Sequence, residues 1–215
     1  MTRINSAMSE LPTLFTVGHS TRTLDEFVSL LKQNLINAVA DVRSSPFSRH
    51  MPHFNRDALQ ESLKTHGIQY VFLGDELGAR REERECYVEG VAKYELIEKT
   101  AAFSEGLERI RTGASKFRIA MMCAEKDPLT CHRTILVARA LRDEYELRHV
   151  VTENKVLSQE ELEQELLSRW NMSHPELFQQ PGEVLEEAYR RQSDEIAYAV
   201  PKDESTADGQ VTAHD

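Results

Sequence analysis

The chain has 215 residues, 40% hydrophobic and 29% charged, with 9 Gly and 7 Pro; this suits one substantial α/β core and excludes two full-sized domains. Its formal charge of -10 argues against a general DNA-coating role, but the charge is uneven: 21 Lys and Arg balance 21 Asp and Glu up to Val150, whereas 5 face 15 beyond it. No apolar run approaches the roughly 18 to 20 residues that cross a bilayer and Met1 to Leu14 lacks a signal-peptide core, so a cytoplasmic protein without membrane contact is expected.

Short apolar runs alternate with amphipathic stretches along the chain. After an N-terminal arm, residues 1–13, a strand is predicted at Leu14 to Val17. Thr23 to Gln33 places Leu24, Phe27, Val28 and Leu31 on one helical face, with Thr23 and Glu26 spaced as a capping box. A strand at Ala38 to Val42 follows, then a helix capped by Asn55 that carries Leu59 and Leu63 and stops near Gly67. Further strands are predicted at Gln69 to Leu73, Phe117 to Met122 and Leu147 to Val151, with helices at Tyr94 to Ile110 and Thr130 to Arg142. Five mostly parallel strands with helical crossovers predict a three-layer α/β/α fold over residues 14–151.

Residues 152–200 read as a C-terminal helical appendage. Ser158 and Glu161 form a second capping box before Leu162, Leu166 and Trp170, and Val184, Leu185, Ala188 and Tyr189 mark another helix after the breaks at His174-Pro175 and Pro181-Gly182. Residues 201–215 are polar and aromatic-free, and disorder is expected there.

Ligands of open α/β sheets bind at the carboxyl ends of the strands. Three predicted strand ends carry reactive side chains together: Gly18-His19-Ser20 after the first, Asp41-Val42-Arg43 at the second, and Cys123-Ala124-Glu125 running on to Cys131-His132-Arg133 after the fourth. A cysteine leaving a strand toward a helix N-terminus, with His132 and Arg133 nearby, has surroundings that favour a thiolate. Cys123 is therefore the candidate nucleophile, Glu125 and His132 the candidate proton carriers, and Cys131 a candidate resolving thiol. Arg43, Arg133 and a helix N-terminus capped by Thr130 suit an anion, while His19, Ser20 and Asp41 are candidate substrate contacts. The bland alternative is that a cysteine ending an apolar strand merely fills the core. Cys86, in a charged stretch without such neighbours, reads as incidental.

Asp41 to Arg56 interleaves Arg43, Arg49, His50, His53 and Arg56 with Phe47 and Phe54. That composition suits a phosphorylated or nucleotide-like ligand, and equally a solvated loop whose phenylalanines pack onto the sheet. Walker, GxGxxG, HExxH and GxSxG motifs are absent, and Leu129 stands where a Cys-x5-Arg phosphatase needs arginine. Three cysteines form neither a disulfide framework nor a standard zinc motif, although Cys123, Cys131 and His132 are chemically suited to zinc or iron.

Thr16-Val17-Gly18-His19-Ser20, Asp41-Val42-Arg43 with Pro46, Leu73-Gly74-Asp75-Glu76-Leu77-Gly78, and above all Cys123-Ala124-Glu125-Lys126-Asp127-Pro128 with Cys131-His132-Arg133 resemble the family catalogued as domain of unknown function 488. The resemblance spans about Leu14 to Val151, and Ala188 to Gln192 with Ile196-Ala197-Tyr198 resembles the C-terminal helix of longer members. It implies a compact α/β domain with these motifs gathered at one site and two functional cysteines; it transfers no reaction. The residues themselves point to a thiol-dependent hydrolase or transferase that needs no cofactor and acts on a small anionic ligand or nucleic acid. A noncatalytic binding or regulatory module, and a redox or metal site built on the two cysteines, are the rivals.

Overall fold

The computed structural model describes residues 11–173 and 180–201. The expected arm up to residue 10, the His174-Pro175 break and the tail from residue 202 lie outside them. Strand β1 (Thr13–Gly18) leads into α1 (Leu24–Gln33), where the Thr23 hydroxyl accepts from Glu26 N and the Glu26 carboxylate accepts from Thr23 N. β2 (Ala38–Asp41), α2 (Arg56–Thr65) and β3 (Gln69–Phe72) follow. Asn55 precedes α2 but its side chain does not cap it; Asn55 Oδ1 instead accepts from Ser48 N and ties down the preceding loop.

Next come the short α3 (Gly74–Leu77), a two-stranded antiparallel hairpin of β4 (Tyr87–Val88) and β5 (Val91–Ala92), then α4 (Tyr94–Ile97) and α5 (Ala101–Ala114). The single helix expected over Tyr94 to Ile110 is thus two. Thr100 divides it: its hydroxyl donates to Ile97 O at the end of α4 and accepts from Phe103 N at the start of α5. β6 (Ile119–Cys123) follows, then a six-residue π-helical stretch, Arg133–Ala138, in place of an ordinary helix from Thr130. β7 (Glu146–Thr152), β8 (Lys155–Ser158), α6 (Gln159–Arg169) and α7 (Pro181–Ile196) complete the elements of the described residues.

The central sheet has six strands in the order β3-β2-β6-β1-β7-β8, not five. The five expected strands are parallel, and the sixth, β8, pairs antiparallel with β7 at the edge. β8 has four residues with only Leu157 buried, too short to leave a period-2 signature, and its last residue, Ser158, also caps α6.

Parallel strands covered by helices on both faces bury both sets of alternating side chains. Phe15, Val17, Val39, Ala120 and Met122 pack against Phe27 and Leu31 of α1 and Leu59 and Leu63 of α2. Leu14, Ala40, Met121, Cys123 and Leu147 face the other way, toward Phe103 and Leu107 of α5 and the π-helical stretch. Leu162 and Leu166 of α6 and Ala188 and Tyr189 of α7 join this second cluster, so the acidic C-terminal helices pack on the sheet core. Glu186 of α7 binds Arg139 and Arg142 there. No helix among the described residues is long and apolar enough to cross a membrane.

Candidate active site

β2, β6 and β1 are neighbours and parallel, so Arg43, Cys123 and His19 emerge together on one edge of the sheet. Backbone packing makes that edge tight. A Cβ on Gly18 would lie 1.8 Å from the Glu125 carbonyl oxygen, because the loop after β6 folds over the end of β1. His19 N and Ser20 N donate to Cys123 O and Ala124 O at 2.9 and 2.8 Å across the same junction. Gly74 is similar, with a Cβ there 2.0 Å from Arg43 O, so the start of α3 supports the loop after β2.

Behind the edge sits a charged cluster. Asp41, fully buried, accepts from Arg43 Nε at 2.9 Å and Nη2 at 2.6 Å, and from the Tyr70 hydroxyl at 2.7 Å. Arg43 Nη2 also donates to Phe54 O, and Nη1 lies 3.2 Å from His19 Nε2. A guanidinium only donates, so Nε2 of His19 is the acceptor and Nδ1 carries the hydrogen that reaches Ser20 O at 2.9 Å. Burial, with the Arg43 charge adding to it, lowers the His19 pKa to about 4, and the ring stacks 4.2 Å from that of Phe54. His19 is thereby a neutral prop for Arg43.

In front lie the two sulfurs. Cys123 Sγ is 3.8 Å from His132 Nδ1, and His132 Nε2 donates to Val42 O at 2.8 Å. That carbonyl holds the hydrogen on Nε2 and turns Nδ1 toward the sulfurs. Cys123 Sγ, Cys131 Sγ and a ring nitrogen of His132 all lie within 4.8 Å of one another, and Glu125 Oε2 is 3.0 Å from Cys131 Sγ. The Cys123 thiol is pushed well above its ordinary pKa, first by its hydrogen bond to Cys131 and then by burial. Burial opposes ionisation of Cys131 too, but the Cys123 hydrogen bond, the Arg133 charge and His132 outweigh it and hold that pKa well below the ordinary value. Burial and the neighbouring Cys131 raise the Glu125 pKa. Burial also works against the His132 imidazolium, but the Cys131 hydrogen bond and charge raise its pKa overall.

A cavity of about 320 Å³ opens over these groups. Of the expected site residues, Arg43, Cys123, Glu125, Cys131 and His132 line it. His19 and Asp41 stand behind Arg43, and Ser20 borders a separate hollow with Arg22 and Lys126. Arg133 is fully buried, donating to Glu125 O at 2.8 Å and Lys126 O at 3.3 Å, and so braces the loop rather than reaching the cavity. Thr130 does not cap the following stretch, because its hydroxyl donates back to Asp127 O in a Pro128–Thr130 turn.

Residues not anticipated for the site also line the cavity: Ser44 and Ser45, Arg80, and the aromatic Tyr94 and Tyr198. Arg80 stacks at 4.7 Å on Tyr198 and makes no ion pair among the described residues. The basic loop divides. Phe47, 66% exposed, lines the cavity, whereas Phe54 is core, Arg56 stacks on Phe72 and His53 bonds to Arg22 O.

The family model described as domain of unknown function DUF488 matches residues 23–140. The chain belongs to this family. The DUF488 match takes in Asp41, Arg43, Glu125 and the whole run from Cys123 to Arg133, and stops short of His19 before it and of Tyr198 after it. No curated protein and no solved structure matches the chain.

Proposed function

We propose that this DUF488 protein is an enzyme whose turnover depends on the Cys123 and Cys131 sulfurs and whose substrate is a small anionic, nucleotide-type molecule. The observation that carries the reading is the meeting of both sulfurs and the His132 ring nitrogen within 4.8 Å at the base of an open cavity. Arg80, free of any carboxylate among the described residues, and the remaining N–H of Arg43 supply the pull on an anion. Phe47, Tyr94 and Tyr198 offer apolar faces to a ring, and the volume suits one nucleotide-sized molecule rather than a duplex. Glu125 stands at the sulfurs to take or give a proton.

Purified protein assayed against nucleotides and small phosphate or carboxylate esters tests this. Cys123→Ala and Cys131→Ala are expected to lose at least about a hundredfold in kcat with their circular dichroism unchanged. Arg80→Ala is expected to raise KM with little change in kcat. Full turnover in both cysteine variants would overturn the reading.

A further inference from the structure

The dependence on sulfur takes a specific form in this geometry. Two thiols and an imidazole nitrogen converge, and the His132 Nε2–H is anchored on the Val42 carbonyl. Anchoring the far ring nitrogen is how proteins orient a metal-binding histidine. In a tetrahedral site with Zn–S about 2.3 Å and Zn–N about 2.0 to 2.1 Å, two sulfurs stand roughly 3.8 Å apart and a sulfur and a nitrogen roughly 3.5 to 3.6 Å. Cys123 Sγ and His132 Nδ1 stand 3.8 Å apart, about 0.2 to 0.3 Å more than a bound sulfur–nitrogen edge, so a small side-chain movement closes them on an ion.

Two further observations favour an ion. Arg133 is a fully buried cation that donates to the Glu125 and Lys126 carbonyls and has no carboxylate partner among the described residues, so anionic ligands at this loop would balance its charge. As whole residues Cys123 and Cys131 are only 3% and 2% exposed, yet both line the cavity, where a small ion can meet them. We infer that Cys123, Cys131 and His132 bind one zinc-class divalent ion, with its fourth coordination position facing the cavity. Soft thiolates with one imidazole select this class of metal, and three protein ligands beside an open cavity have the form of a catalytic site. Glu125, whose Oε2 lies 3.0 Å from Cys131 Sγ, is not one of the three converging donors and is left to handle protons beside them. The inference rests on the reading of this cavity as the reaction site and makes Cys123 a ligand instead of an attacking group.

Full-length protein, reduced and stripped by a chelator, is titrated with Co2+ and then Zn2+. The expected result is one Co2+ per chain with visible bands of a tetrahedral ion and a near-ultraviolet sulfur-to-cobalt band, both erased by Zn2+. Cys123→Ser and His132→Gln should each lose these bands, and Cys86→Ala should keep them. If the variants unfold, alkylation of the wild type decides: Zn2+ should protect Cys123 and Cys131 without altering Cys86. Absence of the bands and of the protection in folded protein would overturn the metal site. Zinc bound without turnover of any substrate would keep the site and sink the enzyme reading, whereas turnover by a protein that shows neither the bands nor the protection would keep the enzyme reading and sink the metal site.

Discussion

His132 and His149 are two histidines bonded through both ring nitrogens, yet their pKa values move in opposite directions. His149, fully buried on β7, accepts at Nδ1 from the Thr16 hydroxyl at 2.9 Å and donates from Nε2 to Gln159 Oε1 at 3.0 Å. The Gln159 amide is oriented because its Nε2 donates to Glu163 and meets the Tyr189 hydroxyl, so the tautomer of His149 is fixed from α6 and α7. Its direct partners are neutral, and burial, with repulsion from Arg133, lowers its pKa to about 4. His132 meets a sulfur that can carry charge, and its pKa rises despite burial. Arg133 acts on both sides, repelling a proton from His149 and drawing the cysteines toward thiolate. Burial alone makes a histidine neutral; an ionisable neighbour reverses the outcome.

The contrast between a charged cluster at the strand ends and a neutral network beneath β1 and β7 can be broken by substitution. Asp41→Ala leaves buried Arg43 without its counter-ion and should cost about 3 to 5 kcal/mol in urea unfolding. A loss no greater than that of a neutral-network variant would erase the distinction.

His149 sharpens it through pH. Its folded pKa, about 4, lies below the ordinary 6.5, so its neutral form contributes fully above pH 6.5, and that stability is lost as the pH falls toward 4. Between pH 7 and 5 the wild type should lose about 2 kcal/mol more than His149→Gln. Equal losses would show that the imidazole is already protonated in the fold. The smallest effect is expected for Thr16→Val, about 1 kcal/mol at pH 7, since only a neutral hydrogen bond is removed.

Much of the candidate site is legible in the strand-end motifs, because adjacent parallel strands deliver their next residues to one edge. Cys123, His132 and Arg43 are found that way. Arg133 misleads, since nothing in Cys-His-Arg tells a guanidinium that reaches a ligand from one that caps the Glu125 and Lys126 carbonyls. Ser20 misleads for a related reason: it follows His19, but its left-handed backbone, φ 50°, takes it past the loop to another hollow. Arg80 carries no local signal beyond following Gly78-Ala79. Tyr198 does carry one, in the Ile196-Ala197-Tyr198 run, but its place at the cavity depends on chain far away: Ala92 N bonds to Tyr198 O, and Val200 N to Gly90 O.

By itself the sequence determined the alternation of strands and helices, both capping boxes and the shared edge of three strands, because these follow from periodicity, short-range hydrogen bonding and strand direction. Only the tertiary structure decided the sixth strand, the split at Thr100, the bracing role of Arg133 and the walls of the cavity. Each of those depends on which groups meet across long stretches of chain, and the protonation of His132 and His149 depends on the charge of the groups they meet.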